Sequence, residues 1–122
     1  MKLEFDNNRP IYIQLVEYIK IKIISGDIEP GSRLDSVRNM AEEVEVNPNT
    51  MQRALAELER EGLVFSQRTR GRFVTEDEMK IREMRKEFAR IEIAKLQEIL
   101  TSLGYKNEEI KDIIIENLKE GN

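Results

Sequence analysis

The fold is decided by residues 35–62, DSVRNMAEEVEVNPNTMQRALAELEREG. Val37, Met40, Ala41 and Val44 recur at helical spacing, and Asp35 or Ser36 stands where a side-chain oxygen can cap the free N–H groups of a helix start. Only Glu45 and Val46 intervene before Asn47-Pro48. That pair is a strong start signal, since proline's missing N–H costs little at a first helical position. Met51, Ala54, Leu55 and Leu58 mark one face of the next helix, and Gly62 stops it. Two short helices across a tight turn form a helix-turn-helix.

Downstream, Leu63-Val64-Phe65-Ser66 and Arg72-Phe73-Val74 flank an arginine-rich polar stretch around Gly71, which reads as two short strands joined by a glycine-bearing loop. Upstream, Tyr12, Leu15, Val16, Ile19 and Ile23 form one helical stripe with Pro10 as its first residue. Ser25-Gly26-Asp27 ends that helix, and Ile28-Glu29-Pro30-Gly31 makes a turn. Helix, helix-turn-helix and hairpin, in that order, describe a winged helix.

Beyond Thr75 the chain is acidic and wholly helical in pattern. Ile81, Met84, Phe88, Ile91 and Leu96 lead through Ile99 and Leu100 to Leu103, with a stop at Gly104. A last helix, capped by Asn107, carries Ile110, Ile113, Ile114 and Leu118. Two amphipathic helices cannot enclose a core alone, so their stripes need either the winged domain or a second chain. A homodimer is the economical solution, with Met84, Phe88, Ile91, Ile99, Leu103, Ile110 and Ile114 at its interface. The expected fold is mainly α with a small β-hairpin: a winged helix-turn-helix domain over residues 1–75 and a two-helix dimerisation tail over 76–122.

Composition narrows the function. The 122 residues contain neither cysteine nor histidine, which removes Ser-His-Asp and Cys-His catalysis and ordinary zinc sites. The carboxylate pairs Glu42/Glu43 and Glu108/Glu109 sit in charge-dense helical surroundings and read as solvated faces. No enzyme activity, metal or cofactor is expected. No apolar run is long enough to span a membrane and residues 1–8 do not read as a signal peptide, so a cytoplasmic protein is expected. Net charge is −4, yet the stretch from Ser66 to Val74 holds Arg68, Arg70 and Arg72 and no acid. A local basic element on an acidic protein suits a discrete phosphate-facing feature.

Particular motifs sharpen this. Pro10-Ile11-Tyr12-Ile13-Gln14-Leu15, Gly26-Asp27-Ile28-Glu29-Pro30-Gly31-Ser32-Arg33-Leu34, Ser36-Val37-Arg38 and Val46-Asn47-Pro48-Asn49-Thr50-Met51-Gln52-Arg53-Ala54 occur in sequence. Leu58-Glu59-Arg60-Glu61-Gly62-Leu63-Val64 and Arg70-Gly71-Arg72-Phe73-Val74 follow. In this order and spacing they resemble the GntR family of bacterial regulators, and the short helical tail is similar to that of its small YtrA-type branch. The resemblance implies a homodimer bound to a palindromic operator in double-stranded DNA, usually as a repressor. It leaves a small-molecule effector open. Three positions depart from the family's pattern: Asp35 replaces a proline, and Glu45 and Thr69 replace glycines.

A recognition helix enters the major groove N-terminus first, which selects Asn47, Asn49, Thr50, Gln52 and Arg53. Asn and Gln can pair with adenine edges and Arg with guanine. Asn47 and Thr50 are equally suited to capping the helix. Arg38 either pairs with Glu42 or, as the resemblance at Ser36-Val37-Arg38 implies, contacts DNA together with Ser36. Arg68, Arg70 and Arg72 bring the wing against phosphates or into the minor groove, with Gly71 permitting close approach. Two other readings compete: a module in which the winged helix docks a protein, and a carboxylate enzyme. The first predicts binding indifferent to Arg53 and to the wing arginines. The second lacks any activated nucleophile.

Overall fold

A computed structural model describes residues 4–121. Residues 1–3 and 122, the outermost positions of the two expected domains, lie outside the described residues. The elements run α1 (Ile11–Ile24), α2 (Val37–Glu43), α3 (Pro48–Arg60), β1 (Val64–Gln67), β2 (Gly71–Val74), α4 (Glu78–Ser102) and α5 (Asn107–Glu120). The chain forms two compact units, Met1–Glu83 and Met84–Asn122. The first therefore runs past the compositional change at residue 75 and takes in the opening turns of α4, where Ile81 is buried.

In the first unit α1 and α3 share an apolar core. Leu15, Ile19 and Ile23 from α1 and Met51, Leu55 and Leu58 from α3 are all buried, with Ala41 of α2 closing one side. The strands complete it through Leu63, Val64 and Val74. They pair antiparallel with Val64 opposite Val74 and Gln67 opposite Gly71. Both buried valines thus lie at the root of the hairpin, and its tip extends into solvent. The segment before α2 adds a partial third strand: the Leu34 N–H donates to the Arg72 carbonyl at 2.9 Å and the Val74 N–H to the Ser32 carbonyl at 2.9 Å. Arg33 and Phe73 form the bridge between them.

Helix starts follow the capping chemistry. The Asn39 N–H donates to Ser36 Oγ at 3.1 Å, so Ser36 rather than Asp35 caps α2. Asn47 Oδ1 accepts from the Asn49 N–H at 2.7 Å and Pro48 takes the first helical position of α3. Two expected starts move by one residue. Pro10 lies just outside α1 with extended ψ of 138°. Asn107 is the first residue inside α5, with Lys106 at the cap position. Lysine has no acceptor to offer there. Glu109 supplies one instead, accepting from the Lys106 N–H at 3.0 Å.

Two of the three family departures fall on left-handed backbone: Glu45 has φ of 56° and Thr69 φ of 66°. Each lies in a tight connection, Glu45 between α2 and α3 and Thr69 at the hairpin tip. A side chain in this region meets its own carbonyl, at about 1–2 kcal/mol.

The second unit contains the rest of α4 and all of α5, joined across Gly104. Ile110 is buried and Ile113 and Ile114 half-buried, whereas Ile91, Ile93, Leu96, Ile99, Leu103, Ile115 and Leu118 are exposed. No helix among the described residues is long and apolar enough to cross a membrane.

Candidate nucleic-acid interface

The two faces of α3 divide sharply. Met51, Ala54, Leu55 and Leu58 are at most 1% exposed, which fixes the helix rotationally on the core. That constraint leaves Asn49, Gln52 and Arg53 exposed and Thr50 half-buried at the N-terminal end. Asn47 is exposed too, but its Oδ1 is committed to the cap, so only its amide N–H group remains to donate outward. Arg53 lies over the Tyr12 ring, with its guanidinium carbon 3.7 Å from the ring centre.

Beside this face, Ser36 and Arg38 are exposed at the start of α2, and Arg38 forms no ion pair with Glu42 among the described residues. Asp35 is folded onto its own helix start. Its carboxylate accepts from the Asn39 amide at 3.0 Å and from the Ser36 N–H at 2.8 Å. The Asn39 bond first and the Ser36 bond second hold its carboxyl below the ordinary range. The carboxylate thus stays charged but is partly occupied within the protein.

The wing does not use its arginines alike. Arg68 and Arg70 are exposed at the tip, with Arg70 5.9 Å from the centre of the Phe73 ring. Arg72 turns inward: its Nε is buried 3.5 Å from Glu59 Oε1, outside hydrogen-bond geometry but within ion-pair range. Glu59 also accepts from Ser66, so it links α3 to both strands. Arg33 lies across Gly71 instead. A Cβ at Gly71 (φ 107°) would meet Arg33 Nε at 3.1 Å. Arg33, Gly71 and Arg72 thereby join Asp35, Ser36 and Val37 around an open cleft of about 620 Å³ between wing and α2. In the sequence Arg33 stands out only as one member of the Gly26–Leu34 motif. Its cross-strand placement is a tertiary fact.

Lys20, a peripheral basic residue on α1, pairs with Glu61 at 2.6 Å and ties α1 to the end of α3. Among the described residues no cluster of acidic side chains could hold a metal ion.

Residues 11–74 match the family described as bacterial regulatory proteins, gntR family. Over 110 residues the chain is 34% identical to the uncharacterized HTH-type transcriptional regulator YhcF of Bacillus subtilis, covering 90% of this chain and 91% of that one. It is 39% identical over 71 residues to the HTH-type transcriptional repressor YtrA of the same organism, covering 58% of this chain and 55% of that one. A GntR family transcriptional regulator from Listeria monocytogenes superposes with a TM-score of 0.84 at 37% identity, over 92% of this chain and 98% of that one.

Proposed function

Because the chain belongs to the gntR family of bacterial regulatory proteins and is a DNA-binding transcriptional regulator, we propose that it is a homodimeric repressor of a palindromic operator, read by the N-terminal half of α3 and by the wing. One observation carries the assignment of the reading surface. The apolar side of α3 is locked into the core, and the opposite side presents Asn49, Gln52 and Arg53 to solvent. Those side chains supply the amide and guanidinium patterns that match adenine and guanine edges in the major groove. Ser36 and Arg38 hold the flanking phosphates, and Arg68 and Arg70 reach along the backbone or into the minor groove. Arg72 contributes by bracing the wing on Glu59.

Dimerisation rests on the tail. Ile91, Ile99 and Leu103 are 48, 58 and 67% exposed in the single chain, an apolar display that a second copy would cover. A two-fold dimer presents two recognition helices, which is why an inverted repeat is the expected target. A DNA target calls for a cytoplasmic protein.

The test is in-vitro selection from random duplex DNA with purified protein, beside an Arg38→Ala/Gln52→Ala variant. Enrichment of an inverted repeat by the wild type, lost in the variant, is the expected result. Failure to enrich any sequence at low salt would refute the reading and favour the protein-docking alternative.

A further inference from the structure

We propose that Tyr12 of α1 is a positioning residue for DNA recognition: its ring holds the Arg53 guanidinium flat so that its N–H edge is presented ready-made to a pair of adjacent acceptors on DNA. This rests on the reading of α3 as the recognition helix and adds to it a residue from a different helix. Three observations converge. The stack is close, at 3.7 Å from guanidinium carbon to ring centre. Tyr12 is half-buried on α1, and Leu15 and Val16 one turn on are buried, so the ring stands on a helix anchored in the core. The acidic partner one helical turn from Arg53 is already taken. Glu57 accepts from Arg60 Nε at 2.9 Å and from a second Arg60 nitrogen at 2.5 Å, which leaves the Arg53 donors without a hydrogen bond or ion pair among the described residues.

Stacking and donation use different parts of a guanidinium. The face rests on an aromatic ring while the five N–H donors point outward in the plane. An arginine on a mobile stem loses rotamer freedom when it binds. One already laid on a ring has lost it beforehand, so more of its hydrogen-bond energy appears as affinity. Both guanine, through O6 and N7, and a phosphate, through two oxygens, match such a donor pair.

The experiment is a double-mutant cycle on the full chain, using the duplex enriched by the selection above and reading Kd by fluorescence anisotropy. Tyr12→Leu is expected to weaken binding by about two- to fivefold, the worth of an exposed cation–π contact, and Tyr12→Phe to stay near wild type. In an Arg53→Ala background, Tyr12→Leu should have no further effect. The same loss in both backgrounds would overturn the proposal, because Tyr12 would then act on DNA or on the fold independently of Arg53. If Arg53 meets phosphate, Arg53→Ala lowers the salt slope by about one; if it meets guanine, preference at one operator position relaxes. Should Tyr12→Leu fail to fold, the wild-type protein decides: Arg53 δ-protons shifted upfield by the ring support the stack, and unshifted ones overturn it. A wild type that enriches no duplex would sink the recognition-helix reading itself.

Discussion

Glu45 offers a test of whether the α2–α3 connection has the backbone described above. At φ of 56° it occupies the left-handed region that glycine enters without penalty. Glu45→Gly relieves about 1–2 kcal/mol of strain. Against this, glycine gives the unfolded chain more freedom, worth about 0.5–1 kcal/mol. The side chain itself must be controlled for, and Glu45→Ala does so by removing it while keeping the Cβ. Glu45→Gly should therefore be more stable than Glu45→Ala by about 0.5–1 kcal/mol, or roughly 2–6 °C in the melting of a unit this size. Ala56→Gly, on the exposed side of α3, supplies the opposite sign, because glycine inside a helix costs about 1 kcal/mol. Urea denaturation followed by circular dichroism measures all three. Equal stability of the two Glu45 variants, or a more stable Glu45→Ala, would refute the left-handed assignment and with it the geometry that spaces α2 from α3.

The other predictions concern caps, charge, the wing and the tail. Ser36→Ala should cost about 1 kcal/mol through loss of the α2 cap, measured by the same denaturation, and Ser36→Asp should restore most of it. The Arg60 hydrogen bond pulls the Glu57 carboxyl from an ordinary 4.5 to about 2. Its stabilising contribution is therefore complete above about pH 4.5 and lost as pH falls towards 2, so Glu57→Gln should flatten that part of a stability-versus-pH curve. Arg68→Ala and Arg70→Ala should each reduce the slope of log Kd against log salt by about one, whereas Arg72→Ala should act mainly on stability. Leu103→Glu should shift sedimentation equilibrium at micromolar concentration from dimer to monomer; a wild type that is itself monomeric there would count against the tail interface.

Local chemistry is what the residues disclosed in advance. Ser36 and Asn47-Pro48 announced their helix starts because a cap needs only a side-chain acceptor and two or three neighbours. Glu45 and Thr69 stood out only through the resemblance, whose pattern has glycine at both positions, and their positive φ is what the structure adds. Contacts between distant segments were not legible. Nothing in Arg68-Thr69-Arg70-Gly71-Arg72 distinguishes the arginine that turns towards Glu59 from the two that remain outside. That choice follows from strand alternation combined with where α3 ends. Arg33 and Tyr12 joined the site only when folding laid one across Gly71 and the other beneath Arg53. Lysine at the α5 cap position also ran against capping preference, and the compensating Glu109 lay three residues on.

In the proposed function, α3, the start of α2 and the wing form one DNA-reading surface. Titrating the ¹⁵N-labelled protein with the selected duplex tests it most directly. Amide shifts are expected to concentrate at residues 36–38, 47–53 and 68–71. Shifts confined to α4 and α5, with α3 silent, would contradict it.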